Sequence, residues 1–382
     1  MGKPTDPDGF FPDMERIDSD VMERVLERAS VYEPSDYGED DVLRALSGDS
    51  TGPEGFGALL SPAAEPFLER IARRAAAETA RRFGNSVSLF TPLYASNHCS
   101  NECVYCGFNR TNPIRRSRLD RVGAEREMRS AAEAGIRDIL LLTGESREHS
   151  GTDYIADLVS MASEHFSSVG LEVYPLNTDE YRRMRMLGAD HVTVFQETYD
   201  RERYSQLHPS GSKRVFPYRF DSQERALRAG MRGVAFAPLL GLSDFRRDSF
   251  ACGMHAREIQ RRYPHAEISF SLPRLRPFPG GEFGGTGVSE SDLLQVSMAY
   301  RLFMPFAGQT VSTRERPVFR DNLVRISATR MSAGVSVSVG GRSGDASGDG
   351  QFDISDSRSV KEVTEALVRN GRQPVFNDYV RT

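Results

Sequence analysis

Lysine is almost missing from this chain: only Lys3, Lys213 and Lys361 occur, so 46 of the 49 basic residues are arginines. The formal net charge is −5 and the arginines are interleaved with acids. No basic patch forms, which removes the electrostatic case for a nucleic-acid partner. Guanidinium forks do suit the recognition of carboxylates. Long apolar runs are also absent. No stretch approaches the 18 apolar residues of a membrane span, and the first twenty residues, "MGKPTDPDGFFPDMERIDSD", are acidic where a signal peptide is basic and then apolar. These absences predict a soluble, cytoplasmic protein with no membrane partner. The seven histidines include no His-x₃-His spacing, so none is assigned to a metal. Four cysteines, three of them clustered, do not make a disulfide framework, and a cytosolic cluster of this kind more often binds metal.

What is present is organised in three parts, which we place at 1–58, 59–337 and 338–382. The first is a helical extension: "SDVMERVLERAS" has helical spacing, and "SGDSTGPEGFG" reads as a break before the amphipathic stretch "SPAAEPFLERIARRAAAETARRF". The second alternates short β-rich runs with helical stretches. The runs are "SVSLFTPL" (86–93), "RDILLLTG" (137–144), "GLEVYPL" (170–176), "DHVTVFQE" (190–197), "GVAFAPLL" (233–240), "AEISFSLP" (266–273), "QTVSTRE" (309–315) and "NLVRISAT" (322–329). Gly135, Gly188 and Gly230 follow helical stretches as C-caps do. Eight strand–helix units imply a parallel sheet and the number that closes a (β/α)₈ barrel, with a doubly wound open sheet as the alternative. The third part opens on a Gly/Ser/Asp-rich stretch, 338–357, read as a lid-like loop before a last helix.

Cys99, Cys103 and Cys106 form Cys-x₃-Cys-x₂-Cys directly after the first strand, on the loop where such barrels keep their active sites. Three thiolates can hold three irons of a [4Fe–4S] cluster and leave the fourth iron open. A structural zinc site would need a fourth ligand, yet His98 adjoins Cys99 awkwardly and Cys252 lies far along the chain in a helical stretch.

The motif, with Tyr105 before its last cysteine, resembles the radical S-adenosylmethionine (SAM) enzymes. The stretches "FGNSVSLFTPLYASNHCSNECVYCGF", "LLLTGE", "VFQETY", "GLSDFRRDS", "SFSLPRLRP" and "STRERPVFRD" are similar, in order, to the ThiH family of 2-iminoacetate synthases. The resemblance implies the barrel, a [4Fe–4S] cluster and SAM as cofactors, and Cα–Cβ cleavage of L-tyrosine to 2-iminoacetate and 4-cresol. It also implies a thiazole synthase and a flavodoxin- or ferredoxin-type electron donor as partners. Relatives with a second cluster carry extra C-terminal cysteines, whereas this chain has none after Cys252. The terminal "GRQPVFNDY" favours tyrosine over the related tryptophan lyases. A non-catalytic Fe–S scaffold is the alternative of another class.

The resemblance and barrel logic together nominate site residues. Glu145, at a strand end, would accept hydrogen bonds from the SAM ammonium; the bland alternative is a helix-start acid favoured by the dipole. Gln196 and Glu197 end another strand, and alternation should turn one of them inward toward SAM. Arg274 or Arg276 would hold the SAM carboxylate or ribose, with Arg274 preferred, and Tyr105 would pack beside the adenine. The resemblance places Arg314 on the substrate carboxylate, assisted by Ser332; the alternative is an Arg314–Glu315 surface pair of little worth.

Overall fold

The computed structural model describes residues 6–48, 51–344 and 346–377. The start of the acidic N-terminal stretch, Asp49 and Ser50 of the break, Asp345 of the lid-like loop, and Asp378 and Tyr379 of the terminal stretch lie outside them. Eight parallel strands close on themselves: β1 (Ser86–Ser96), β2 (Asp138–Thr143), β3 (Ser168–Glu172), β4 (His191–Thr193), β5 (Gly233–Phe236), β6 (Glu267–Ser271), β7 (Gly308–Val311) and β8 (Arg330–Ser332). Each pairs with the next, and β1 pairs with both β2 and β8, so the eight strands form a closed ring. The barrel is the (β/α)₈ arrangement expected. A further strand, β9 (Gln373–Val375), pairs with β1 over Ser86, Val87 and Ser88, below the point where β2 begins.

The apolar core is an annulus outside the strands. Ile139 and Leu141 of β2, Val169 and Leu171 of β3, Val192 of β4 and Val234 of β5 alternate outward and pack under the surrounding helices. The intervening residues, among them Phe90, Leu140, Glu172, Thr193, Thr310 and Arg330, face the axis. Alternation of side chains along each strand thus divides a dry outer core from a lined interior. Gly188 caps its helix with φ 115° as expected, and Gly135 and Gly230 do likewise.

Two expectations need correction. The run 322–329 is not a strand: Leu323 ends the helix Pro317–Leu323, and the eighth strand is only the three residues that follow Thr329. The supposed break before residue 59 contains a helix, Pro53–Leu60, with proline in its first turn, where no amide hydrogen is needed. That helix and its neighbour Val21–Ser30 belong to the body of the protein. Phe56 stacks on Phe303 at 4.1 Å and Tyr32 on Phe250 at 4.1 Å, joining them to the outer helices of the barrel.

The segment before Val21 crosses to the other side. Pro7 accepts from Phe216 N at 3.0 Å, Gly9 accepts from the Arg214 guanidinium at 3.2 Å, and Glu15 caps the helix Thr178–Leu187. It therefore holds the loop that carries Lys213. No described helix is long and apolar enough to cross a membrane.

Candidate active site

The cysteine loop leaves the C-terminal end of β1 and is pinned by polar side chains. The Arg116 guanidinium donates to the carbonyls of Asn97 and Phe108 at 2.7 and 2.8 Å, and Asn112 Nδ2 donates to those of Cys106 and Gly107, both at 3.1 Å. The 338–357 loop presses on it so closely that a Cβ at Gly107 would collide with the Gln351 carbonyl oxygen. Cys99, Cys103 and Cys106 all line one small cavity. Burial pushes the Cys99 thiol up to about 11 and raises the Cys103 thiol well above its ordinary value, so metal ligation would have to displace their protons. Among the described residues no three His, Cys, Asp or Glu side chains converge tightly enough for a single metal ion. A polynuclear cluster, which offers each thiolate a separate iron, fits this donor set better than zinc does. Asn101 Nδ2 and Gln351 Nε2 approach the sulfurs of Cys99 and Cys106, each at 3.7 Å.

Glu145 lines the same cavity at the end of β2. Its carboxylate accepts from Arg219 Nη1 at 2.8 Å and Asn101 Nδ2 at 2.9 Å, with Lys213 Nζ at 3.9 Å. Burial alone would raise its pKa, but Arg219 and Lys213 bring it below the usual carboxylate range. It is therefore ionised, and its ligands are side chains, not the helix start of the alternative reading.

After β4 the alternation holds through Phe195, which faces the interior, and Gln196, which lines neither the interior nor the cysteine cavity. Glu197 then adopts φ 74°, the left-handed region that non-glycine residues seldom visit, and it alone does so among the described non-glycine residues. This turn brings its carboxylate into both cavities, 2.7 Å from Lys213 Nζ and 3.3 Å from Arg219 Nη2. Sequence reasoning missed Lys213 and Arg219, which bridge Glu145 and Glu197. They sit on a short turn and the helix Phe216–Phe220, away from any strand end. Lysine scarcity was the available signal for Lys213.

The interior cavity, about 150 Å³, runs on from this carboxylate–cation group. Its volume matches that of an apolar protein cavity known to take up benzene. Arg314 lies at its mouth, with the guanidinium carbon 3.5 Å from the Phe352 ring centroid and one Nη donating to the Arg274 carbonyl at 3.2 Å. No described carboxylate forms an ion pair with it. Glu315 is paired instead with Arg274, which also donates to the Val288 carbonyl at 2.6 Å. Arg274 is thereby committed away from both cavities, while Arg276 lines the interior and donates to Ser355 Oγ at 2.5 Å. Ser332 Oγ, at the end of β8, is buried in the lining with no hydrogen-bond partner among the described residues. Tyr105 lines the interior too, its hydroxyl 2.7 Å from His208 Nε2. Because His208 Nδ1 faces the Tyr204 carbonyl at 2.8 Å, Nε2 is the nitrogen left to accept from Tyr105. Glu172, at the end of β3, joins the two cavities, and burial pushes it up to about 7 despite Arg314. It was overlooked because the run that holds it reads as an ordinary apolar strand.

Residues 93–247 match the family model of the Radical SAM superfamily, and residues 271–373 that of the Biotin and Thiamin Synthesis associated domain. The chain is 39% identical over 340 residues to the 2-iminoacetate synthase of Salmonella typhimurium, covering 89% of this chain and 90% of that protein. The Escherichia coli 2-iminoacetate synthase matches to the same extent. Among solved structures, the FeFe-hydrogenase maturase HydG from Carboxydothermus hydrogenoformans superposes with a TM-score of 0.85 at 27% identity, over 93% of this chain and 83% of that one. Methylornithine synthase (PylB) shares the fold, with a TM-score of 0.71 at 21% identity over 88% and 97% of the two chains.

Proposed function

This chain belongs to the 2-iminoacetate synthases of the radical SAM superfamily, and on that footing we propose that it cleaves the Cα–Cβ bond of L-tyrosine to 2-iminoacetate and 4-cresol, with the residues of the described cavities in the roles that follow. When bound, a [4Fe–4S] cluster and SAM supply one electron and a 5′-deoxyadenosyl radical, the chemistry no side chain can provide. Cys99, Cys103 and Cys106 hold three of the irons, and the amides of Asn101 and Gln351 steady the sulfurs. Glu145 would receive the ammonium end of SAM, Lys213 and Arg219, already aligned by Glu145 and Glu197, would hold its carboxylate, and Tyr105 would pack against the adenine.

Arg314 and Ser332 take the substrate carboxylate. The single observation that carries this reading is a half-buried guanidinium that lines an aromatic-sized cavity and is paired with no carboxylate among the described residues. Phe352, stacked on that guanidinium, covers one of its faces. Fixing the substrate this way matters because a misplacement of about 1 Å can cost roughly 10²-fold in rate. The imine product is consumed by a thiazole synthase in thiamine formation, and a flavodoxin- or ferredoxin-type protein donates the electron.

An anaerobic assay of reconstituted, reduced protein with SAM and tyrosine tests the reading: 5′-deoxyadenosine, 4-cresol and glyoxylate from the hydrolysed imine are expected together. Deoxyadenosine without cresol would refute the tyrosine lyase. Arg314→Ala should keep forming deoxyadenosine while cresol falls by about 10²-fold or more. Cresol at the wild-type yield would remove Arg314 from the substrate site.

A further inference from the structure

The interior cavity ends on a second guanidinium. Arg330, the first residue of β8, lines both this cavity and a larger one of about 1050 Å³ at the opposite mouth of the barrel, so its side chain is part of the partition between them. One Nη reaches away from the interior to Asp138 Oδ2 at 2.7 Å and His191 Nε2 at 3.4 Å. The guanidinium carbon lies 4.1 Å from the centroid of Phe90, which forms the wall above it. Both contacts are made by Nη2, whose edge of the guanidinium also carries the buried Nε, whereas Nη1 on the other edge makes no hydrogen bond among the described residues. The residue is thus held in place on one side and left with donor capacity on the other.

Arg314 follows the C-terminal end of β7 and Ser332 ends β8, where Phe90 pairs with it; Arg330 begins β8 and pairs with Thr310, so the two arginines stem from opposite ends of the lining, whose apolar members include Phe90, Leu140 and Ala235. Arg330 lies two residues before Ser332 on one strand, roughly 7 Å deeper at the usual strand rise. The occupant this describes has a carboxylate at one end, a flat apolar ring in the middle and a hydrogen-bond acceptor at the far end.

We propose that Arg330 donates a hydrogen bond to the phenolic oxygen of the substrate and is the residue that selects tyrosine among aromatic amino acids. The inference rests on the lyase reading above and deepens it. A guanidinium has five donors and no acceptor, while a phenolic oxygen accepts. Phenylalanine offers nothing to Arg330 and leaves a desolvated donor unsatisfied, which is costly. The indole N–H of tryptophan is a donor only and meets another donor. Asp138 and His191 hold the far edge of the guanidinium, so its free edge is positioned before the substrate arrives. Burial keeps His191 neutral, which leaves its Nε2 able to accept.

The test uses the reconstituted holoenzyme and measures equilibrium binding of L-tyrosine, L-phenylalanine and L-tryptophan calorimetrically, alongside cresol formation. Sites that read a hydroxyl reject the analogue lacking it by up to about 10⁴-fold or more. Wild-type protein is therefore expected to bind tyrosine at least about 10²-fold more tightly than phenylalanine, by the same reasoning. Arg330→Met should bring the two within about tenfold by weakening tyrosine alone, and Arg330→Lys should retain the preference for tyrosine. An unchanged tyrosine-to-phenylalanine ratio in folded Arg330→Met would overturn the proposal. Should that variant not fold, 4-fluorophenylalanine with wild-type protein decides: affinity near that of phenylalanine supports the proposal, and affinity equal to that of tyrosine overturns it. Cresol formation by wild-type protein is the separate check on the lyase reading, so the two can fail independently.

Discussion

Cys103→Ala, purified anaerobically and reconstituted with iron and sulfide, will lack the absorbance of an intact [4Fe–4S] cluster and will form no 5′-deoxyadenosine. The expectation of complete loss, and not a partial one, follows from the surroundings of the thiol. Cys103 is buried among Tyr105, Leu207, Leu239 and Leu242; the leucines offer no ligand, and the Tyr105 hydroxyl is engaged by His208 Nε2 at 2.7 Å. The fourth cysteine cannot substitute. Cys252 lies on the helix Phe245–Arg262 within the annular core, where it neighbours Tyr199 and Tyr300. Cys252→Ala should accordingly leave the spectrum unchanged. Between these extremes stands Gln351, whose amide only approaches a sulfur; Gln351→Leu should lower activity by about 10- to 100-fold, as the loss of outer partners of metal ligands usually does. An intact spectrum in Cys103→Ala would sink the ligand assignment.

The second large effect is on stability. Asp356, on the loop that covers the barrel mouth, pairs with Arg320 on the helix Pro317–Leu323, and both side chains are fully buried. Arg320 also donates to the Ser332 carbonyl, and Arg358 clamps Asp356 and Asp321 together. Asp356→Ala would strand the Arg320 cation in the interior, a change that costs about 3–5 kcal/mol. Denaturant unfolding should show a lower midpoint at nearly constant slope. A midpoint shift worth less than about 1 kcal/mol would contradict the account. Burial alone would raise the pKa of Asp356, yet Arg358 and Arg320 lower it overall. Its contribution is therefore complete above the ordinary aspartate value of about 3.9 and is lost as pH falls through the lower value of the folded state. Cresol formation should fall as well, because the same loop carries Gln351 and Phe352 over the site.

Strands whose outward residues are Val, Ile or Leu, such as β2 and β3, were legible because the annular core selects for them. The eighth was not. Its inward members are Arg330 and Ser332, so a three-residue strand with one apolar side chain looks like loop, while the apolar Leu323 and Val324 nearby serve a helix end. The cysteine motif and Glu145 could be read locally, since each adjoins a clear strand. Glu197 could not be separated from Gln196 by alternation, because its left-handed backbone breaks the period just where the site begins. Arg274 looked suitable by position, but a tertiary partner, Glu315, claims it. Lys213 and Arg219 reach the site from between strands, a placement that no periodicity reports.

The division between a dry outer core and a lined interior bears on how long the protein would persist in a cell. A barrel whose axis presents the guanidinium of Arg314 and the carboxyl group of Glu172 to a cavity gains stability from whatever binds there. A ligand at a hundred times its dissociation constant adds about 2.7 kcal/mol if it binds the native state alone. Changes of about 1–2 kcal/mol alter steady-state abundance several-fold through proteolysis of the unfolded chain. Supply of the small molecules that occupy the barrel would then set the lifetime of the protein as well as its rate of turnover, and starvation for them would clear the idle enzyme without any dedicated signal.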